Sequence, residues 1–145
     1  MERYVTYQEV CEEIKKVFAS KGFKGNKMNF SYDMKEYLLV ASFYKSRWGG
    51  TLYGDMGIYF YELHPQGLEH RQANWADSME RIFETNYDAN IDLERMRLAL
   101  LRALSIFDKI IGEGIWNILK TQKYEFLNRP RTIDFIYHKI GVKVQ

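Results

Sequence analysis

Six consecutive residues, Phe43-Tyr44-Lys45-Ser46-Arg47-Trp48, set two cations and a hydroxyl among three aromatic rings. On an extended chain, alternate side chains face opposite ways. Phe43, Lys45 and Arg47 then share one face, and Tyr44, Ser46 and Trp48 share the other. A neighbouring run carries Tyr53, Tyr59 and Tyr61. This interleaving fits three chemistries. Rings can stack single-stranded bases while Lys and Arg meet phosphates. Arg and aromatic anchors can equally seat a partner protein. Alternatively a strand ends there, and its Lys and Arg carry their charges out of the core. The candidate binding residues are Tyr44, Lys45, Ser46, Arg47, Trp48, Tyr59 and Tyr61.

Other chemistries find less support. His64, His70 and His138 are never three or four apart, and no Cys-x-x-Cys or His-Glu-x-x-His occurs, so no metal site is expected. Gly22-Phe23-Lys24-Gly25 lies after a helical pattern and before an extended one, the reverse of a phosphate loop. Gly112-Glu113-Gly114 falls inside helical sequence. Cys11 sits on the apolar side of a helical pattern, as a small core residue does. No Gly-x-Ser-x-Gly elbow is present. Adjacent acids such as Glu12 and Glu13 point apart on a helix. No catalytic residue and no cofactor are assigned.

The elements that must position these residues follow from periodicity. Thr6-x-x-Glu9 reads as a capping box, and Tyr7, Val10, Cys11, Ile14, Val17 and Phe18 recur at helical spacing until Gly22. Met28, Phe30, Tyr32 and Met34 then alternate with Asn29, Ser31 and Asp33, as in a half-buried strand. Tyr37 to Tyr44 is apolar on both parities and reads as a central strand. Gly49-Gly50 marks a turn. Leu52 to Leu63 forms a third strand, with Gly54 and Gly57 as points of bulge or close approach. Gln72 to Ala76, or Arg81 to Thr85, offers one further short strand. Asp92 caps a long helix through Leu93, Met96, Leu100, Leu104, Phe107 and Ile111, ended or kinked by Gly112 and Gly114. Ile115 to Gln122 reads as a short helix. After Pro130, Thr132 caps a last helix through Ile136 that stops at Gly141. The expected fold is α+β: an N-terminal helix, an antiparallel three- to four-stranded meander, and a mainly helical C-terminal half.

The chain has 145 residues, which suits a single domain over 1–145 that buries a core of its own. A net charge of +2 is low for a dedicated DNA binder. One cysteine permits no internal disulfide and fits a reducing compartment. A polar N-terminus and the lack of a long apolar run predict neither a signal peptide nor a membrane span. Eleven tyrosines point to a core with hydroxyls at its rim, or to an interface. Charge is uneven: Glu69 to Glu94 is acidic, and Lys120 onward is basic.

Three signatures in order suggest a family. They are Gly22-Phe23-Lys24 with Gly25-Asn26 and Phe30; Phe43-x-Lys45-Ser46-Arg47-Trp48; and Gly57-Ile58-Tyr59. Over Val10 to Leu63 the chain resembles the bacterial domain-of-unknown-function 4304 family. That family carries a Trp-Trp-type signature after its sheet, where this chain has Trp75 alone. The resemblance implies an α+β domain of the bacterial cytoplasm and no established activity. Its shared Lys-Ser-Arg positions fall on Lys45, Ser46 and Arg47, without an assigned role.

Two functions of different class follow. The first is a non-enzymatic protein-binding domain, one form of which is a bacterial immunity protein that neutralises a toxin. The second is a single-stranded nucleic-acid-binding or processing protein that uses Lys45, Arg47, Tyr44 and Trp48 on a basic and aromatic sheet face. The first is favoured because catalysis needs converging groups and none can be named.

Overall fold

In the computed structural model, which describes residues 5–87, 92–120 and 130–141, the Thr6 hydroxyl accepts the Glu9 amide at 3.1 Å. The Glu9 carboxylate in turn accepts the Thr6 amide at 3.4 Å. This reciprocal cap starts α1 (Tyr7–Ser20), whose Val10, Ile14, Val17 and Phe18 are buried. Gly22, at φ +84°, turns the chain out of the helix.

Five strands follow in sequence order: β1 (Lys24–Asn26), β2 (Asn29–Asp33), β3 (Tyr37–Lys45), β4 (Thr51–Phe60) and β5 (Ser78–Asn86). They form one antiparallel meander, ordered β1-β2-β3-β4-β5. One face is lined by Phe30, Leu39, Phe43, Leu52, Met56, Ile58 and Phe60 and packs on α1 and the later helices. Those helices are α2 (Leu93–Ala103), α3 (Ser105–Glu113), α4 (Ile115–Leu119) and α5 (Pro130–Ile140). The second face has a smaller core. There Leu38, Val40 and Tyr59 lie under Ala73 and Ala76 of a strap over residues 61–77.

The α+β architecture is as the periodicity predicts, and several details differ. The strand count is five, not three or four. β1 is three exposed residues, too short to show a pattern. Arg81 to Thr85, one of the two places expected for a further strand, lies within β5, which extends to nine residues although Glu80, Arg81 and Glu84 interrupt its apolar positions. Gln72 to Ala76 is no strand, since Ala73–Trp75 forms a 3-10 turn. The third strand ends at Phe60, and Tyr61–Leu63 is a second 3-10 turn. The long helix divides at Leu104 (φ −86°, ψ 1°), although hydrogen bonds from Leu104 to Leu100 and from Asp108 to Leu104 run across the break. Gln122 lies outside the described residues. Thr132 does not cap α5. It lies inside that helix, buried, and donates to the Asp77 carbonyl at 2.8 Å, which ties α5 to the end of the strap.

Gly54 and Gly57 are both points of close approach. A register shift falls between Gly54 and Asp55. The Phe43 ring covers Gly54 so closely that an added Cβ would stand 2.4 Å from it.

Candidate functional site

β3 ends at Lys45, and Ser46 to Gly50 form the turn into β4, so the sequence-predicted set is not one strand face. Lys45 lies on the helix-packed side, its Nζ 4.4 Å from the centre of the Tyr7 ring. Ser46 builds the turn: its amide donates to Thr51 at 2.8 Å, and its hydroxyl donates to the Gly49 carbonyl at 2.9 Å. Gly49 and Gly50 take φ near +80°, the left-handed region that favours glycine. Tyr87 clamps the turn from beyond β5, accepting the Gly50 amide on its hydroxyl at 3.1 Å and donating its own amide to Gly50 at 3.0 Å. Arg47 and Trp48 project from this braced tip, with Trp48 91% exposed.

The tyrosines separate as well. Tyr44 is 41% exposed on the second sheet face, whereas Tyr59 is only 2% exposed beneath the strap. The Tyr59 hydroxyl donates to the Gln72 carbonyl at 2.7 Å, and burial followed by the Asp77 charge pushes its pKa up to about 12. Tyr61 donates to Asp33 at 3.2 Å, away from the hairpin tip. Tyr44, Arg47 and Trp48 therefore stand at one end of the molecule, while Lys45, Tyr59 and Tyr61 point elsewhere.

A second feature escaped the sequence reading. Register sets Asn26 beside Asn29, Asn29 beside Ser42, Ser42 beside Asp55 and Asp55 beside Arg81. One polar residue from each strand thus forms a row straight across the second face. Asp55 is 3% exposed, which disfavours a carboxylate unless it is paired. Arg81 Nε donates to it at 3.2 Å, and the same guanidinium donates to the Tyr44 hydroxyl and lies 4.1 Å from the Tyr53 ring centre. Burial first, then the Asp55 charge, pushes the Tyr44 phenol above its usual pKa, so it stays neutral.

The strap forms the opposite wall, fixed by the Ala73 amide donating to Ser42 Oγ at 2.9 Å. Between them lies an open cavity of about 460 Å³ lined by Asn29, Ser42, Tyr44, Asp55, Gln72 and Asn74. It adjoins a second of about 360 Å³ that shares Asn29 and Gln72 and adds Lys24, Ser31 and Arg71. The available signal was Ser42 and Asp55 inside two otherwise apolar strands; the row itself needs the register.

His64 and Asp77 form the other close polar pair, with Nε2 2.8 Å from one carboxylate oxygen and 2.9 Å from the other. Asp77 also accepts the Phe60 amide at 2.8 Å. Through these bonds the pair ties the strap to the end of β4. Among those residues no group of three His, Cys, Asp or Glu side chains could hold a metal, and no helix is long and apolar enough to cross a membrane.

The hairpin tip, the strap and all five strands fall within residues 14–93, which match the family described as Domain of unknown function (DUF4304). The chain belongs to the DUF4304 family. The match runs beyond Leu63 through the strap and β5, so the DUF4304 segment holds the whole sheet and both walls of the groove. The three signatures stop short of this because the strap has no periodic pattern. No curated protein and no solved structure matches the chain.

Proposed function

We propose that this DUF4304 chain is a non-enzymatic protein-binding domain whose contact surface centres on the β3–β4 hairpin tip. The observation that carries the reading is Trp48, 91% exposed on a turn held by the Ser46 hydrogen bonds and by Tyr87. A large ring left in water gains when a partner covers it, and a rigid turn loses little freedom on binding. Arg47 beside it, with Tyr44 nearby, completes the residue types that dominate interface energetics. The same geometry favours a protein over single-stranded nucleic acid. Lys45 is turned to the helix side and Tyr59 is covered, so neither joins a stacking platform with Trp48.

One form of this reading is an immunity protein that neutralises a toxin in the bacterial cytoplasm, a setting in which the single cysteine stays reduced. A photo-crosslinking amino acid at position 48, introduced in the source cell, tests both levels. The expected product is a crosslink to one protein. The complex rebuilt from purified components should weaken by about tenfold or more on Trp48→Ala, a loss of at least ~1.4 kcal/mol. Crosslinks to nucleic acid alone, or unchanged affinity of the variant, overturn the reading. The immunity form further requires that the partner be toxic and that the wild-type chain suppress that toxicity.

A further inference from the structure

We propose that the groove between the second sheet face and the strap binds a nucleotide-sized phosphorylated ligand. Its phosphate would sit between Lys24 and Arg71, and its amino-bearing ring over the row Asn29–Ser42–Asp55. The inference does not rest on the protein-binding reading, because neither Arg47 nor Trp48 lines the groove; Tyr44 alone borders both surfaces.

Size comes first. The two adjoining cavities, about 460 and 360 Å³, each fall within the range of small-molecule sites, and they meet at Asn29 and Gln72. Charge comes second. Lys24 reaches the groove from β1 and Arg71 from the strap, so two cations on opposite walls flank one stretch of it. No carboxylate lines that cavity, and neither cation makes an ion pair among the described residues. Asp33 lines an adjoining cavity of about 310 Å³ together with Lys24 and Arg71, and its Oδ1 is engaged by the Lys35 amide at 2.8 Å and the Tyr61 hydroxyl at 3.2 Å. An anion with several acceptor oxygens satisfies Lys24 and Arg71 together.

The other end has the opposite character. Asp55 is an acceptor with about four lone-pair sites, of which Arg81 Nε takes one at 3.2 Å and the Tyr44 hydroxyl engages another. Asn29, Gln72 and Asn74 line the same cavity, and their side-chain amides can both donate and accept. A ring with an exocyclic amine beside an acceptor nitrogen meets such a set edge-on. The groove is therefore polarised, accepting at Asp55 and cationic at Lys24 and Arg71. An amino-bearing nucleoside monophosphate has the matching polarity and length.

Calorimetric titration of the full chain at low salt tests this with AMP, CMP, IMP, UMP and inorganic phosphate. AMP or CMP should bind, and its keto counterpart and free phosphate should bind about tenfold more weakly or worse, the weight of one lost charged hydrogen bond. The double variant Lys24→Ala/Arg71→Ala, at two exposed positions, should lose about tenfold or more in affinity while melting like wild type. Trp48→Ala should leave this binding intact, which separates it from the hairpin surface. Four outcomes overturn the proposal: no AMP or CMP binding at millimolar concentration, phosphate binding as tightly as either, wild-type affinity in the double variant, or binding of an oligoadenylate without AMP.

Discussion

Replacing Gly57 with Ala tests how the strap is held on the sheet. Gly57 is in the middle of β4, between Val40 and Met79, on the face that the strap covers. A Cβ there would stand 2.6 Å from the Ala76 Cβ, 3.0 Å from the Ser78 carbonyl oxygen and 3.1 Å from that of Ala73. Two of the three obstacles are backbone and the third has no rotamer to change, so relief requires the strap to lift. Overpacking of this kind costs about 1–3 kcal/mol. Lifting also strains two hydrogen bonds, Ala73 to Ser42 and Tyr59 to Gln72, worth about 1 kcal/mol each. The reduced freedom of the unfolded chain returns about 0.4–1 kcal/mol. A net loss of about 3 kcal/mol corresponds to a fall in melting temperature of roughly 6–12 °C for a chain of this size. Urea unfolding followed by circular dichroism measures the loss, and trypsin cleavage after Arg71 reports the loosened strap. Gly112→Ala is the control, since nothing lies within 4 Å of its Cβ; it should match wild type or gain about 0.5–1 kcal/mol. An unchanged midpoint for Gly57→Ala, or a loss without faster cleavage at Arg71, would refute the reasoning.

Three further outcomes are expected. Tyr37→Phe removes the hydroxyl that accepts the buried Ile115 amide at 2.9 Å, so urea denaturation should register a loss of about 1–3 kcal/mol. Tyr59 has its pKa raised to about 12, so its neutral form is favoured by folding: that stability is complete below pH 10 and is lost as pH rises from 10 to 12. Tyr59→Phe should flatten that part of the stability profile, and absorbance titration of the native protein should lose one late-ionising phenol. Trp48→Ala should shift thermal stability by no more than about 0.5 kcal/mol, because the ring is 91% exposed; a larger loss would mean that the tip stabilises the fold.

How far the architecture can be read from residues alone varies element by element. α1 is legible because its cap and its apolar stripe agree. β2 is legible because Phe30 alternates with Asn29 and Ser31, and β3 because a strand covered on both faces is apolar on both parities. β5 is legible only in part, as Arg81 to Thr85 and as one of two alternatives, because an edge strand carrying Glu80, Arg81 and Glu84 looks like a charged loop, and such charges guard an exposed edge. The break at Leu104 leaves no Pro or Gly to mark it. Among the candidate residues, Trp48 and Arg47 were legible as types but misplaced by geometry, since alternation was extended past the end of β3. The polar row was invisible for a stronger reason: Asn29, Ser42, Asp55 and Arg81 are neighbours only through register, which no single segment encodes.

That row also bears on why the second face is built in two parts. Next to it, Val40, Leu38 and Tyr59 are sealed by Ala73 and Ala76, which is what stability alone would select. Continuing the same apolar pattern over Ser42 and Asp55 would have closed the face, and replacing a buried ion pair with apolar residues is often neutral or stabilising. Instead a carboxylate is held 3% exposed by Arg81 and edged by Tyr44. The residues that seal the apolar part, Ala73 and Ala76, interleave in one strap with those that wall the groove, Gln72 and Asn74. The two parts are therefore coupled: whatever loosens Ala73 and Ala76 also opens the wall above Asp55. Stability variants in the strap should consequently change groove binding, whereas hairpin-tip variants should not, and this asymmetry separates a site maintained by the fold from a surface merely displayed by it.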